Sequence, residues 1–578
     1  MKFTVCFKNC KENDADTILN ILNCRLSDRN ARSFTLADEA DADLLYVLDP
    51  SYEKEEYSIY NRGETGIVIT ADSLIALLFG TGKMLRNAVW GGADGFAFGS
   101  WRGRTAPKCE WRIAYLSNHL FNTFHVASEE LVLKYIEDVV LMGYNTYQSA
   151  NGLNSYKSWD DPRIPGHIER LKLYNRKAMS LGMKLSGGAG GNCIPKGAPA
   201  ENKAQKTGLA MYGTEICPNS PNAIQIMLDY RETVGKMIGK TPYDLVTFWP
   251  YDQGGCGCPK CAPWGCNGYL KMCEAFVPVI KKNSPNVKIC VSTWLFDFPV
   301  NRGEWEGFYK YLESGKGGWI DMIMADSHSE FPRYPLEHPL PNGIKLLTFP
   351  EISMLNRYPW GGFGANPMPE RFARLWAQPA AQSCGGRIYS EGIYEDFNKA
   401  LYASFFWNGN NEVEETIREY ANYEFGISDL APLKRLIRIF EQNHQEPLRW
   451  FYNKTDRCPV RMHNNKIGWT SVFAPRHDTE ESLELCRKIE SQQPEWARKC
   501  WRWRIFALRA QLDHLIDRTR GDPTPEVEIL LKELFDIYQL DPVEDTPVTP
   551  MTEEWLSHQE GKIQPVVDDV LPDDLRKK

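Results

Sequence analysis

A chain of 578 residues exceeds one ordinary domain, and 43% hydrophobic with 25% charged residues excludes wholesale disorder. The net charge of −8 argues against nucleic acid or an anionic membrane as main partner, since both reward basic surfaces. Aromatic residues make up 12%, and flat amphipathic rings suit the apolar faces of sugars as well as protein cores.

The N-terminus MKFTVCFKNCKEND shows no apolar signal-peptide stretch, and no run of apolar residues is long enough to span a membrane. Sixteen cysteines without a leader pattern read as reduced thiols or metal ligands rather than a disulfide framework. A cytoplasmic protein is the expectation. Residues 1–105 read as a small α/β domain. Strands are predicted at Lys2–Lys8, Asp43–Leu48 and Glu64–Thr70, and a helix at Asp14–Leu26, where Ile18, Ile21, Leu22 and Leu26 share one face. A second helix, Ser73–Leu85, is expected to break at Gly80-Thr81-Gly82, and Trp101–Pro107 reads as a linker.

From about 110 to 425 one unit recurs: short apolar strand, polar loop, amphipathic helix. The predicted strands are Arg112–Leu116, Thr146–Ser149, Lys184–Ser186, Leu245–Trp249, Lys288–Thr293, Asp321–Ala325, Lys345–Phe349 and Gly386–Ser390. Eight such βα units predict a (β/α)8 TIM barrel. The alternative, a doubly wound open sheet, lacks the glycine-rich phosphate turn after its first strand. Gly187–Gly191 matches no dinucleotide fingerprint and reads as a mobile loop over the mouth. Residues 427–578 form a mostly helical C-terminal region, with one helix beginning near Pro494 and another at Glu526–Leu540.

Barrel active sites lie at the C-terminal strand ends, and there the polar residues collect. Asp252, Asp326, Glu351 and Glu391 are the candidate catalytic carboxylates. His119, Asn151, Trp249, Tyr251, Trp294, His328 and Trp360 are candidate sugar-binding groups. One acid to protonate a leaving oxygen and one carboxylate facing it are what glycosidic cleavage requires. Asp252 is the expected proton donor, in an apolar setting of Trp249, Pro250 and Tyr251, and Glu351 the opposing carboxylate. Asp326 or Glu391 supports them. No nucleophile elbow, H-E-x-x-H or P-loop is present.

Cys256, Cys258 and Cys261, with Cys266 five residues on, crowd the loop after strand four. Thiols at this density predict a structural zinc, with Cys266, or instead Cys193 or Cys217, as fourth ligand. The stretch Phe248–Cys261, with Ile216–Pro221, Thr348–Ile352 and Ala403–Asn408, resembles the family 67 α-glucuronidases and the family 163 endo-β-N-acetylglucosaminidases. The latter tend to carry an Asp followed by C-x-C-x-x-C. The resemblance implies a barrel glycosidase. It departs at Asp252, where the α-glucuronidases have Glu. The His-x-Gly-Gly-Asp-Glu type motif of family 20 hexosaminidases is absent, which counts against that family's neighbouring-acetamide mechanism. A glycoside hydrolase is therefore expected, with a carbohydrate substrate, no organic cofactor, and homo-oligomerisation left open. The competing readings are a barrel that binds carbohydrate without turnover, and a sugar lyase or isomerase.

Overall fold

The computed structural model describes residues 3–118, 122–150, 152–153, 156, 160–194, 199–205, 214–251, 255–297, 302–327, 330–352, 364–390, 392–410, 412–445, 458–461, 467–470, 476–522 and 524–539. Eight parallel strands close into a barrel in chain order, the eighth pairing back onto the first. These are Trp111–Leu116, Thr146–Ser149, Lys184–Ala189, Leu245–Phe248, Lys288–Ser292, Met322–Asp326, Lys345–Phe349 and Ser383–Ser390, called strands one to eight below. The barrel expectation is met.

Alternation along each strand sorts the side chains. Trp111, Ile113, Leu245, Cys290, Met322, Met324, Leu347 and Phe349 point inward and pack as the barrel's own core. Ala114, Leu116 and Ile388 point outward into one hydrophobic cluster, and Val246, Phe248, Ile289, Val291, Ile323 and Ala325 into another. The glycine run after Ser186 is not a free loop, because Gly187, Gly188 and Ala189 extend strand three and pair with Val246, Thr247 and Phe248. A Cβ on Gly187 would lie 3.1 Å from the Tyr243 ring, so close packing explains that glycine.

Before the barrel lies a six-stranded sheet, ordered Phe34–Leu36, Phe3–Lys8, Leu44–Leu48, Gly66–Ala71, Tyr57–Arg62, Gly103–Thr105. Tyr57–Arg62 and the edge strand Gly103–Thr105, expected as linker, were not legible as strands. The helix Leu74–Arg86 runs unbroken through Gly80 and Gly82, which correct the expected break. A Cβ at Gly80 would fall 2.7 Å from Ile69, and one at Gly82 2.0 Å from the Leu141 carbonyl oxygen. Glycine here permits contact, not a turn.

Helices Trp501–Thr519 and Pro525–Tyr538 complete the described C-terminal part, the first separated from Glu495–Lys499 at Cys500. One hydrophobic cluster runs from Val5 and Ile69 through Ile136 and Phe405 to Phe506 and Leu534. The N-terminal sheet, the barrel helices Glu129–Met142 and Asp396–Asn408 and the C-terminal helices therefore share one continuous core, while the helices Gly268–Asn283 and Glu304–Glu313 pack in the second cluster. No helix among the described residues is long and apolar enough to cross a membrane.

Candidate active site at the barrel mouth

Glu351 follows strand seven at the same alternation as Leu347 and Phe349, which aims it into the barrel. Its backbone bridges Tyr389 on strand eight, and the residue is buried. Below it an aromatic ring lines the mouth. Trp249 and Trp294 stack with centroids 5.5 Å apart and planes 25° from parallel. Phe349 meets both edge-on and also meets Tyr389, which stacks on Tyr115 at 5.1 Å. Both tryptophans are half-buried. Trp249 and Trp294 follow the ends of strands four and five.

Arg387, inward on strand eight, sits beneath these rings. Its guanidinium carbon lies 4.5 Å from the Phe349 centroid, 4.9 Å from Trp249 and 5.1 Å from Tyr115, within cation–π range. The residue is 6% exposed, and its Nε has no hydrogen-bond partner among the described residues. Burial lowers its pKa, while the neighbouring charges of Tyr115 and Glu351 act to raise it. Arg387 is not among the site residues read from the sequence. Its parity on strand eight, shared with Tyr389, was the available signal for an interior position.

Asp326 closes strand six and is half-buried. Beside it stands Asp297, which sequence reading left out of the site. Asp297 reaches solvent, yet enough protein surrounds it that desolvation raises its pKa to about 6. A hydrogen bond from Trp305 Nε1 at 3.0 Å opposes the rise and the Asp326 carboxylate adds to it. Deeper in the barrel, Ser186 Oγ donates to Gln148 Oε1 at 2.9 Å.

Tyr251 corrects the expectation of a sugar-binding role. It is 1% exposed, packs in the outer cluster with Cys256 and Trp264, and donates its hydroxyl to Glu304 Oε1. Two positions after Trp249 the chain has left the strand, and alternation no longer governs where its side chains point. Asp252, Glu391, His119, Asn151, His328 and Trp360 lie outside the described residues.

Cys256, Cys258 and Cys261 come together with Cys217, not Cys266. Cys266 instead bonds the Pro263 carbonyl at 3.6 Å and packs against Gly307. The short helical turn Trp264–Cys266 carries it away from the other thiols.

No family model matches the sequence, and no curated protein matches it. Solved structures do match the fold. A family 89 glycoside hydrolase from Clostridium perfringens, in complex with 2-acetamido-1,2-dideoxynojirmycin, superposes with a TM-score of 0.59 at 11% identity. The match covers 91% of this chain and 65% of that one, so the chain spans just under two thirds of that enzyme. A Streptomyces plicatus β-hexosaminidase in complex with its product GlcNAc gives 0.50 at 14% identity, covering 73% and 90%. The family 20 exo-β-N-acetylglucosaminidase of Vibrio harveyi gives 0.50 at 11%, covering 73% and 74%. The fold is that of barrel glycoside hydrolases. These likenesses are to families 89 and 20, not to the families 67 and 163 that the motifs suggested. Those motifs cover only short stretches of an architecture that many barrel glycosidases share.

Proposed function

We propose that the protein is a glycoside hydrolase whose site lies at the C-terminal mouth of the barrel. The observation that carries this reading is Glu351: a buried carboxylate aimed inward beside a half-buried Trp249–Trp294 platform, with the Arg387 charge beneath. A sugar ring on those indole faces would present polar edges to the carboxylates of Glu351, Asp326 and Asp297. Glu351 acts as the ionised carboxylate and Asp252, from the loop after strand four, as proton donor, with Asp326 or Glu391 in support. Asp297, with its pKa raised to about 6, is a further group suited to hold a proton near neutral pH.

The fold likeness to hydrolases crystallised with GlcNAc or its analogues makes N-acetylglucosaminides the first substrates to test. Aryl α- and β-N-acetylglucosaminides and α-glucuronides should be offered to the protein and to Asp252→Asn and Glu351→Gln. Release of the aryl group by the parent and its loss in both variants supports the reading. Saturable sugar binding without turnover would favour a binding barrel instead. Fourteen free cysteines among the described residues suit a reducing compartment such as the cytoplasm.

A further inference from the structure

The geometry points to a structural zinc held by Cys217, Cys256, Cys258 and Cys261, stapling the segment after strand three to the loop after strand four. Their four sulfurs lie within 4.8 Å of one another. Cys217 Sγ is 3.7 Å from both Cys258 Sγ and Cys261 Sγ. A disulfide brings sulfurs to about 2.05 Å, so these spacings are not bonded pairs. A tetrahedron with zinc–sulfur distances of about 2.3 Å has sulfur–sulfur edges of about 3.8 Å. The observed spacing matches that edge. Four mutually touching thiols have little to gain from each other as neutral groups. As thiolates they would repel strongly unless a cation sat among them.

The scaffold around the sulfurs is already fixed. Asn192, fully buried, clamps the backbone on both sides of the site. Its Nδ2 donates to the carbonyls of Ile216 at 2.7 Å and Gly255 at 2.8 Å, and its Oδ1 accepts from Gly255 N at 2.7 Å. Those two residues immediately precede Cys217 and Cys256. Cys261 N and Ala262 N both bond the Cys258 carbonyl, folding the C-x-x-C segment into a tight turn. Asn219 Nδ2 donates to Cys261 Sγ at 3.1 Å while its Oδ1 accepts from Lys271 Nζ at 2.6 Å. That arrangement fixes the amide's orientation and gives one sulfur the outer hydrogen bond that metal thiolates use. Four sulfurs leave no open coordination position, so the metal is structural, and an all-thiolate tetrahedron suits zinc. Its work is to pin the loop that leaves strand four just beyond Trp249.

The test uses the full chain, purified without chelator. Elemental analysis should find one zinc per chain, and Cys266→Ser should keep it. Cys217→Ser should lose most of it. Cobalt exchanged into the parent protein should show the intense visible bands and near-ultraviolet charge-transfer absorption of a tetrahedral tetrathiolate site. Where Cys217→Ser fails to fold, thiol titration of the parent answers the same question. Four more thiols should react after chelation than before, and the loop between strand four and Cys266 should become more protease-sensitive. Substoichiometric zinc, iron in its place, four freely reactive thiols in the native protein, or metal lost from Cys266→Ser and kept in Cys217→Ser would each overturn the assignment.

Discussion

Tyr251 donates its hydroxyl to Glu304 Oε1, which also accepts from Gly265 N at 3.1 Å, while Glu304 Oε2 has no hydrogen-bond partner among the described residues. Glu304 is 1% exposed, and desolvation raises its pKa from 4.5 to about 7 against those hydrogen bonds. The folded state therefore holds a proton there that the unfolded chain releases. Between about pH 4.5 and 7 the native state binds more protons, so this contribution is full at the acid end and lost as pH rises. Glu304→Gln keeps the acceptor without the charge. Relative to the parent it should gain stability from pH 5 to pH 8, by up to about 3 kcal/mol at about 1.4 kcal/mol per unit. Urea denaturation at the two pH values measures this, and a pH-independent difference would sink it.

The second prediction concerns Glu351 and the indole platform. Once a substrate is identified, Glu351→Gln should lower kcat by at least about 10²-fold, in the range for acid–base groups. Trp249→Ala removes a sugar face and one wall around Arg387. It should reduce kcat/KM at least about tenfold, mainly through KM, if the ring binds ground state and transition state alike. Unchanged kinetics in both variants would place the site elsewhere.

Arg387 separates stability from function. A buried guanidinium whose Nε has no partner among the described residues carries a desolvation cost that three aromatic rings only partly offset. Arg387→Met, similar in length and uncharged, should keep or raise the melting temperature while lowering kcat/KM. Loss of both together would mean that the charge is structural. The pair of measurements is differential scanning fluorimetry and steady-state kinetics.

The barrel was legible because period-two apolar runs repeat with helical spacing between them, and the strands found lie within a few residues of those read. Local signals failed where tertiary contacts decide. Gly80 and Gly82 carry a turn composition, yet their role is to let Ile69 and the Leu141 carbonyl approach. Cys266 was the nearest thiol in sequence, but Cys217, in a different loop, is the one in space. Tyr251 sits beside Trp249 in sequence yet in another layer of the structure, because strand alternation ends between them. Arg387 is absent from the sequence-derived site because a lone charge inside an apolar strand carries no motif, and only its parity with Tyr389 places it inside the barrel.

Gly82→Ala tests that account of the helix. In an exposed helix interior such a change stabilises by about 0.5–1 kcal/mol. Here the new Cβ would lie 2.0 Å from Leu141 O and 2.8 Å from its carbon, both backbone atoms. The helix must then move off the barrel helix Glu129–Met142. A loss of about 1–3 kcal/mol or more is expected, as for overpacked cores. A stabilised variant would show that the two helices separate freely.

Asp396 supplies the last prediction. It is fully buried at the start of the eighth barrel helix, Asp396–Asn408, and accepts from Tyr135 OH at 2.6 Å, Tyr420 OH at 2.8 Å and Arg502 Nε at 2.7 Å. Arg502 reaches on to Asp138 at 2.9 Å, and Asp138 is also held by Arg25 of the N-terminal helix at 2.8 Å. One chain of charges thus joins the N-terminal sheet's helix, two barrel helices and the C-terminal helix Trp501–Thr519. Asp396→Ala leaves Arg502 with part of its compensation gone and two tyrosine hydroxyls without this acceptor. It should cost about 3–5 kcal/mol, the range for breaking a buried pair from one side. Replacing both partners, as in Asp396→Leu with Arg502→Met, should recover a large part of that loss, since no uncompensated charge then remains at the pair. Urea unfolding of the two proteins at pH 7 compares them directly. A single variant within about 1 kcal/mol of the parent, or a double variant worse than the sum of its parts, would show that the network does not hold these regions together.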